Sequence, residues 1–226
     1  VVGLDTLVHV ANGIYENCPN DEAHELFKLP DFINKMMENK WLGSKTGQGF
    51  YKKEGKDILS LDLNTLEYRA NKKASFATLE LTKSIDKPID RFKVLISGKD
   101  KAAEFYRKNF VAMFAYCSNR IPEITDAFYK IDDAMKAGFG WENGPFEIWD
   151  AIGIEKGIEL MKAQGYEPAA WVTDMLASGV TSFYSVKDGA THFYSITNKK
   201  VEKVPGQDAF IILNNIRESK KIWNNS

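Results

Sequence analysis

Residues 151–155 read AIGIE, and they repeat the pattern of residues 1–5, VVGLD. Four further pairs of segments follow in the same order. Phe32-Ile33 with Met36-Met37 matches Trp171-Val172 with Met175-Leu176, and Phe50-Tyr51 matches Phe183-Tyr184. Residues 58–69, ILSLDLNTLEYR, match residues 193–204, FYSITNKKVEKV, without gaps, and the apolar segment from Phe76 matches the one from Phe210. Because five matches keep one order, the sequence predicts a duplicated unit.

The two copies differ in what precedes them. Residues 101–150 lead into the second copy, whereas nothing in this sequence leads into the first. We therefore expect the missing half to lie upstream of Val1 and this chain to be a fragment of a longer protein. The predicted domains are residues 1–100, a first helical domain truncated at its N-terminal end, and residues 101–226, a second helical domain with a linker toward a following module.

Periodicity and turn residues predict a mainly α-helical fold with small β-hairpins. The individual expectations are an amphipathic helix at 4–17, a helix opened by Pro30, a hairpin at 58–69, a polar connection with a short apolar core at 87–100, helices at 101–118 and at 123–137 after Pro122, a helix begun by Pro145, and a turn at Asp188-Gly189.

Composition excludes several classes of protein. Hydrophobic residues make up 44% of the 226 residues and charged residues 27%, as in ordinary globular proteins. A net charge of −1 provides no field that would recruit nucleic acid or an anionic membrane. Two isolated cysteines, Cys18 and Cys117, predict neither a disulfide framework nor a metal site and suit a reducing cytoplasm. No apolar run is long enough to predict a membrane span.

The loop LGSKTGQGFYKK at residues 42–53 resembles two catalytic motifs and fits neither. A phosphate-binding loop needs Gly-Lys before Ser or Thr at the start of a helix, whereas Lys45 precedes Thr46 and Gly47 and the loop leads toward a strand. A penicillin-binding Lys-Thr-Gly needs an earlier Ser-x-x-Lys, and the candidate beginning at Ser84 comes later.

Other glycines and the histidines point to ordinary structural roles. Gly138-Phe-Gly140 with Gly144 has the wrong spacing for a dinucleotide fingerprint and follows a helical stretch, so we interpret it as a helix C-cap and a turn. The three histidines, His9, His24 and His192, belong to no nucleophile or metal pattern. From the residues alone, no catalytic constellation can be assembled.

The chain resembles the C-terminal domains of 3-hydroxyacyl-CoA dehydrogenases. The first copy has the family's order of Val-Gly-Leu-Asp-Thr, a proline-started helix and Leu-Gly-x-Lys-Thr-Gly-x-Gly-Phe-Tyr, and the second copy has its Ile-Asp-x-Ala-Met and Gly-Pro-Phe-Glu segments. These segments are Val2 to Thr6, Pro30 onward, Leu42 to Tyr51, Ile131 to Met135, and Gly144 to Glu147 with Asp150. The resemblance implies a duplicated fold like the C-terminal domain of 6-phosphogluconate dehydrogenase. The double copy resembles long bacterial fatty-acid β-oxidation proteins with tandem C-terminal domains.

The resemblance implies an oxidoreductase of lipid metabolism that passes hydride from C3 of a 3-hydroxyacyl-CoA to NAD. In the family, a His oriented by a Glu acts as the general base, and both belong to an N-terminal Rossmann domain that this sequence does not contain. An Asn of the helical domain also contributes there. In the second copy that position falls near Phe114, and Asn119 is out of register, so we expect a structural second copy packed on the first as subunits pack in a family dimer. No catalytic, metal or NAD-binding residue is expected in this chain. The implied partners are the Rossmann domain, a C-terminal enoyl-CoA hydratase domain, the acyl-CoA and a second subunit.

Four residues of the loop are candidate substrate contacts: Lys45, Thr46, Gly47 and Gly49. Lys45 would offer its charge to a phosphate of CoA. The alternative is that Lys45 and Thr46 only close a helix-to-strand turn. Two further alternatives stay open for the whole chain: a non-catalytic helical assembly module, and the helical domain of another β-hydroxyacid dehydrogenase.

Overall fold

A computed structural model describes residues 2–209, 211–213 and 215–216, so the predicted match at Phe210 lies outside the described residues. The chain is mainly α-helical and contains two three-stranded antiparallel sheets, which confirms the predicted class. It forms two compact units, Val1–Ala74 and Ser75–Ser226. In the described ranges, no helix is both long enough and apolar enough to cross a membrane.

The first unit is a pair of helices followed by a sheet. Its core contains Leu4 of the first helix, Ile33 and Met36 of the second helix, and Leu61 of the sheet. The helix predicted at 4–17 is confirmed, and the second helix begins directly after Pro30. The elements are α1 Leu4–Asn17, α2 Asp31–Glu38, β1 Tyr51–Glu54, β2 Asp57–Leu61 and β3 Tyr68–Ala70, with short 3-10 turns at His24–Phe27 and Ser44–Thr46.

The second unit has a larger, aromatic core. The rings of Phe114 and Trp149 stack with centroids 5.0 Å apart, and Phe146 and Phe183 meet edge to face at 5.1 Å. Its elements are α3 Ala77–Thr82, α4 Pro88–Ser97, α5 Lys101–Asn119, α6 Tyr129–Phe139, α7 Pro145–Ile152, α8 Ile154–Lys162, α9 Ala170–Ala177, β4 Tyr184–Lys187, β5 Ala190–Ser195 and β6 Lys200–Lys203.

The order of elements recurs along the chain. The helices α1 and α2 lead into the antiparallel order β1-β2-β3, and α8 and α9 lead into β4-β5-β6. Each copy begins after a glycine, Gly3 or Gly153, and each buries a methionine at the same place in its second helix, Met36 or Met175. This recurrence agrees with the repeat predicted from the sequence.

The strand pairing corrects one of the predicted alignments. Tyr51 pairs with Ser60 and Tyr184 pairs with Phe193, so Phe193 is equivalent to Ser60 and not to Ile58. The gapless alignment of residues 58–69 with 193–204 is therefore wrong by two residues. Because side chains alternate along a strand, a slip of two keeps every residue on its face, and the polar–apolar pattern could not reveal the error.

Residues 88–97 form a helix within the stretch 87–100, where the sequence suggested a polar connection. Pro88 occupies the first turn of α4, where a missing N–H is harmless, and Leu95 and Ile96 are buried on its inner face. The Arg107 guanidinium of α5 donates to the carbonyl oxygens of Ile96 at 2.8 Å and Gly98 at 2.5 Å. The polar residues of this stretch lie on the outer face of α4, and the sequence analysis did not recognise their helical spacing.

The helix predicted at 123–137 begins only at Tyr129. Residues before it form turns, in which the Ile124 N–H donates to the Arg120 carbonyl and the Ala127 N–H donates to the Thr125 hydroxyl at 3.3 Å. A threonine hydroxyl that binds nearby backbone competes with helix formation.

Residues 75–100 pack with the second unit. Asp100 caps α5 by accepting from the Ala103 N–H at 3.0 Å, and its other oxygen accepts from the Thr78 N–H of α3 at 2.9 Å. These two bonds hold the pKa of the Asp100 carboxyl below its usual range. The compact units thus divide at Ala74, 26 residues before the predicted domain boundary at residue 100. The assignment of domains to residues 1–100 and 101–226 stays a prediction.

Candidate functional site

Three glycines give the loop between α2 and β1 its shape. Gly43 and Gly47 have φ angles of 108° and 78°, which favour glycine. A Cβ on Gly49 would lie 2.9 Å from the Gly43 Cα, so the two ends of the loop approach too closely for a side chain. The Gly43 N–H closes the loop on the Gln48 carbonyl at 2.8 Å.

Lys45 and Thr46 hold this loop to its surroundings. The Lys45 Nζ lies 2.5 Å from an Asp5 carboxylate oxygen of α1, and this bond lowers the pKa of Asp5. The Thr46 hydroxyl accepts from the Leu42 N–H at 3.0 Å and lies 3.2 Å from the Gln48 carbonyl oxygen. Lys45 and Asp5 remain partly exposed, so the ion pair leaves the ammonium within reach of solvent. The predicted contact with substrate stays a prediction.

An open apolar groove of about 920 Å³ lies beside the loop in the first unit. Gly47 and Gly49 form part of its wall, whereas Lys45 and Thr46 do not line it. Apolar side chains along the groove are unusually exposed: Leu7 by 52%, Val10 by 52%, Ile58 by 57% and Tyr51 by 61%. An exposed apolar surface of this kind is typical of an interaction site.

One backbone donor lies at the edge of this groove. Phe50 and Tyr51 line it, and Tyr51 pairs with Ser60 at a position where its N–H points away from β2. In the described part of the first unit, no side chain accepts a hydrogen bond from the N–H of Phe50 or Tyr51. The groove therefore combines apolar walls with one backbone donor, the Tyr51 N–H, at the edge of the sheet.

The second unit contains a buried carboxylate at Asp132. Its oxygens accept from the N–H groups of Phe146 at 2.9 Å and Glu147 at 3.1 Å, at the start of α7. The Tyr184 hydroxyl also donates to it at 2.8 Å. Burial raises the pKa of Asp132 to about 7, although the three hydrogen bonds oppose the shift.

Asp150 plays a similar part at the other end of α7. It accepts from the N–H groups of Phe183 at 2.7 Å and Tyr184 at 2.8 Å, and burial raises its pKa to about 7. Nearby, the Lys136 ammonium lies 2.7 Å from a Glu147 oxygen. Among the described residues, the donors to Asp132 and Asp150 belong to α7, to Phe183 and to Tyr184 at the start of β4, so the two carboxylates connect α6, α7 and β4.

The sequence singled out Asp132 and Asp150 only as members of motifs and missed their roles. A usable signal existed, because an aspartate within an apolar run such as GPFEIWD must be paired if the run is buried. The sequence alignment did not match Asn119 to the Asn that contributes in the family. In the structure, Asn119 is the last residue of α5.

The glycines at 138–144 do not fit a dinucleotide. Gly140 ends α6 with a φ of 67°, as predicted for a C-cap, and the sheets on either side of this region are antiparallel. A dinucleotide fingerprint instead needs a strand that turns into a helix within a parallel sheet. Among the described residues, no group of three or more His, Cys, Asp or Glu could hold a metal ion.

Comparison with known proteins finds relatives in fatty-acid oxidation. The chain is 43% identical over 194 residues to the "Probable 3-hydroxyacyl-CoA dehydrogenase" of Bacillus subtilis, which covers 86% of this chain and 24% of that protein. It is 26% identical over 153 residues to the "Putative fatty acid oxidation complex trifunctional enzyme" of Rickettsia felis, covering 66% of this chain and 20% of the relative. It is 28% identical over 200 residues to the "Fatty acid oxidation complex subunit alpha" of Psychrobacter cryohalolentis, covering 82% and 24%.

These matches confirm the resemblance that the sequence motifs predicted. The chain spans about a quarter or less of the length of these relatives. No protein-family model matches the chain, and no solved structure matches it.

Proposed function

We propose that this chain is a helical part of an NAD-dependent 3-hydroxyacyl-CoA dehydrogenase of fatty-acid β-oxidation. The observation that carries the proposal is the 43% identity over 194 residues to the Bacillus subtilis protein that bears this name. Two copies of a helix–helix–sheet unit in one chain agree with the tandem helical domains that the resemblance implies.

The chemistry assigned to the longer protein is a hydride transfer. In the longer protein, NAD would accept the hydride from C3 of the 3-hydroxyacyl-CoA, and a His oriented by a Glu would accept the proton of the C3 hydroxyl, which would leave a 3-ketoacyl-CoA. We place NAD, the His and the Glu in a Rossmann domain outside these 226 residues, as the resemblance to the family implies. No catalytic role is assigned to a residue of this chain.

The proposed role of this chain is to build part of the substrate cleft and the interface between domains or subunits. We propose that the loop at Lys45, Thr46, Gly47 and Gly49 approaches the acyl-CoA in the longer protein. The glycines bring the backbone to the surface of the groove, and the Lys45 ammonium is partly exposed although it binds Asp5.

Several finer features belong to the same proposal. The fold is a duplicated 6-phosphogluconate dehydrogenase C-terminal type, divided into residues 1–100 and 101–226, in a cytoplasmic protein. The partners are the Rossmann domain, an enoyl-CoA hydratase domain and a second subunit. The exposed groove favours one alternative, a helical module that serves only in assembly.

Measurement of NAD reduction distinguishes the proposed dehydrogenase from the assembly module. We expect the longer protein to reduce NAD with 3-hydroxybutyryl-CoA, measured by the absorbance of NADH, and the 226-residue chain alone to give none. Binding of NAD to each protein is measured in parallel. Tight NAD binding by the 226-residue chain would contradict our placement of the cofactor site, and an inactive longer protein that still binds NAD and acyl-CoA would favour the assembly module.

A further inference from the structure

Gly3 stands at the start of α1, in contact with the end of the Lys45 side chain. Its φ of −78° and ψ of 161° are open to every amino acid, so the backbone does not require a glycine here. Space does require one, because a Cβ on Gly3 would lie 2.6 Å from the Lys45 Cε and 2.8 Å from its Nζ. The Lys45 side chain thus crosses the chain at a residue that has no side chain.

Asp5 holds the ammonium group that has crossed Gly3. Its two carboxylate oxygens accept from the Lys45 Nζ at 2.6 Å and 2.5 Å, and this contact is the main cause of the lowered pKa of Asp5. Asp5 lies in the first turn of α1, and the Leu4 N–H beside it donates to the Leu42 carbonyl of the loop at 3.0 Å. An exposed ion pair contributes little to stability, so what this contact defines is the position of the charge.

The second copy has the glycine and the acid but lacks the lysine. Gly153 and Glu155 stand where Gly3 and Asp5 stand, and the short connection between α9 and β4 contains no lysine. Gly153 is a glycine for another reason, since its φ is 101° and the nearest atom to a Cβ there, the Lys156 Cβ, would be 3.9 Å away. The crowding at Gly3 therefore belongs to the copy that carries the long loop.

We propose that Gly3 and Asp5 are positioning residues, which together set the place of the Lys45 ammonium in the substrate cleft. Gly3 leaves the space for the lysine side chain, and Asp5 supplies the oxygens that bind its end. The inference rests on the proposed function, in which Lys45 approaches a phosphate of the acyl-CoA. It adds that the Gly-Leu-Asp of residues 3–5 and the Lys-Thr-Gly of residues 45–47 act as one unit.

The positioning is tested first on the 226-residue chain without substrate. Gly3→Ala keeps both charges and fills the space, so the pKa of the Asp5 carboxyl should rise toward its ordinary value near 3.8, measured by NMR of isotope-labelled aspartate carboxyl groups. Gly3→Ser should have the same effect, and serine is a preferred residue at the N-terminal cap of a helix.

Gly13→Ala is the matched control within α1. Among the described residues, no other segment lies within 4 Å of a Cβ on Gly13, so the pKa of Asp5 should stay low in this variant. An Asp5 pKa that is unchanged in both Gly3 variants would overturn the proposal.

The consequence for the substrate is tested on the longer protein with two esters. Gly3→Ala should raise the KM for 3-hydroxybutyryl-CoA by roughly 3–10-fold, as the loss of a charged hydrogen bond predicts. The KM for 3-hydroxybutyryl-pantetheine should not change, because pantetheine carries no phosphate. Asp5→Ala should also raise the KM for the CoA ester, whereas Asp5→Asn keeps an oxygen that accepts from the ammonium.

A double-mutant cycle shows whether Gly3 acts through Lys45. In the Lys45→Ala background, Gly3→Ala should raise the KM for the CoA ester no further, since both changes remove the same contact. A further rise in that background, or an equal rise for the pantetheine ester, would overturn the proposal. A raised Asp5 pKa together with an unchanged KM in Gly3→Ala would support the positioning of Lys45 and contradict the proposed contact with a phosphate.

Discussion

The two buried aspartates of the second unit show how single residues join distant segments. Asp132 binds the N-terminus of α7 and the Tyr184 hydroxyl, and Asp150 binds the first N–H groups of the sheet. Each carboxylate satisfies donors that would otherwise be buried without a partner, which costs more than a typical hydrogen bond gains.

Replacing Asp150 should therefore destabilise the protein. In Asp150→Asn, the amide oxygen can accept from only one of the two N–H groups, and the amide nitrogen faces the other. We expect the free energy of unfolding to fall by about 1–3 kcal/mol, measured by urea denaturation followed by tryptophan fluorescence. Asp174→Asn, an exposed neutralisation within α9, is the matched control and should change little. Equal stability of the two variants would show that Asp150 is not needed as an acceptor.

Lys45 is the residue that distinguishes a substrate contact from a closed turn. In the longer enzyme, Lys45→Ala should raise the KM for acyl-CoA by roughly 3–10-fold if the ammonium reaches a phosphate, as the loss of a charged hydrogen bond predicts. The Asp5→Asn variant keeps the Lys45 ammonium and removes the charge of its partner. The KM of this variant for acyl-CoA should therefore stay the same or fall. If Lys45→Ala leaves KM unchanged and lowers stability as Asp5→Asn does, the side chain only closes the turn.

At the scale of elements, the two copies connect their second helix to their sheet with loops of different length. The Trp41 N–H and the Val180 N–H both cap the preceding helix, on Met36 and Met175. Between this cap and the sheet, the first copy has LGSKTGQG and the second has only Thr181-Ser182. The shorter connection shows that the geometry closes with two residues.

Replacing residues 42–49 by Thr-Ser should therefore preserve the fold of the first unit. The exposed Lys45–Asp5 pair disappears, and the loss of the bond from the Leu4 N–H to the Leu42 carbonyl should lower the free energy of unfolding by about 1 kcal/mol. Circular dichroism and slow exchange of amides in β2 measure the outcome, and an eight-residue Gly-Ser loop is the control. Loss of the protected β2 amides in the Thr-Ser variant alone would mean that the long loop holds the sheet.

At the scale of the whole molecule, buried carboxylates make stability depend on pH. Burial raises the pKa of Asp132 and of Asp150 from an ordinary value near 3.8 to about 7. The ionisable groups that interact with Asp132 include Tyr184, Glu147, Cys117 and Asp150. Carboxylates with a lowered pKa, such as those of Asp5 and Asp100, lose their contribution to folding stability only when the solution becomes more acidic.

The sign follows from proton binding. Between the two pKa values the folded state binds protons that the unfolded state has released, so stability falls as pH rises through this window. We expect the free energy of unfolding to be about 1–3 kcal/mol lower at about pH 8 than at about pH 5. Urea titrations at several pH values measure the slope, which should be smaller in Asp150→Asn. Stability that is equal or higher at the alkaline end would contradict a raised pKa for these groups.

Sequence patterns determined much of this architecture. Helical periodicity placed α1, proline and aspartate–glycine signals placed the starts of α2 and α7 and the turn between β4 and β5, and the repeat identified the recurring helix–helix–sheet order. Motif resemblance led to the relatives that the comparisons found. These features depend on neighbouring residues, whose spacing is visible in the sequence itself.

The tertiary structure alone decided the register of the second sheet, the membership of residues 75–100 in the second unit, the open groove, and the partners of Asp132. Asp132 meets Phe146, 14 residues away, and Tyr184, 52 residues away, and no local pattern records such contacts. A strand slip of two residues likewise leaves the local pattern unchanged. Register, burial and hydrogen-bond partners arise where segments distant in the chain meet, and they become visible only when those segments are packed.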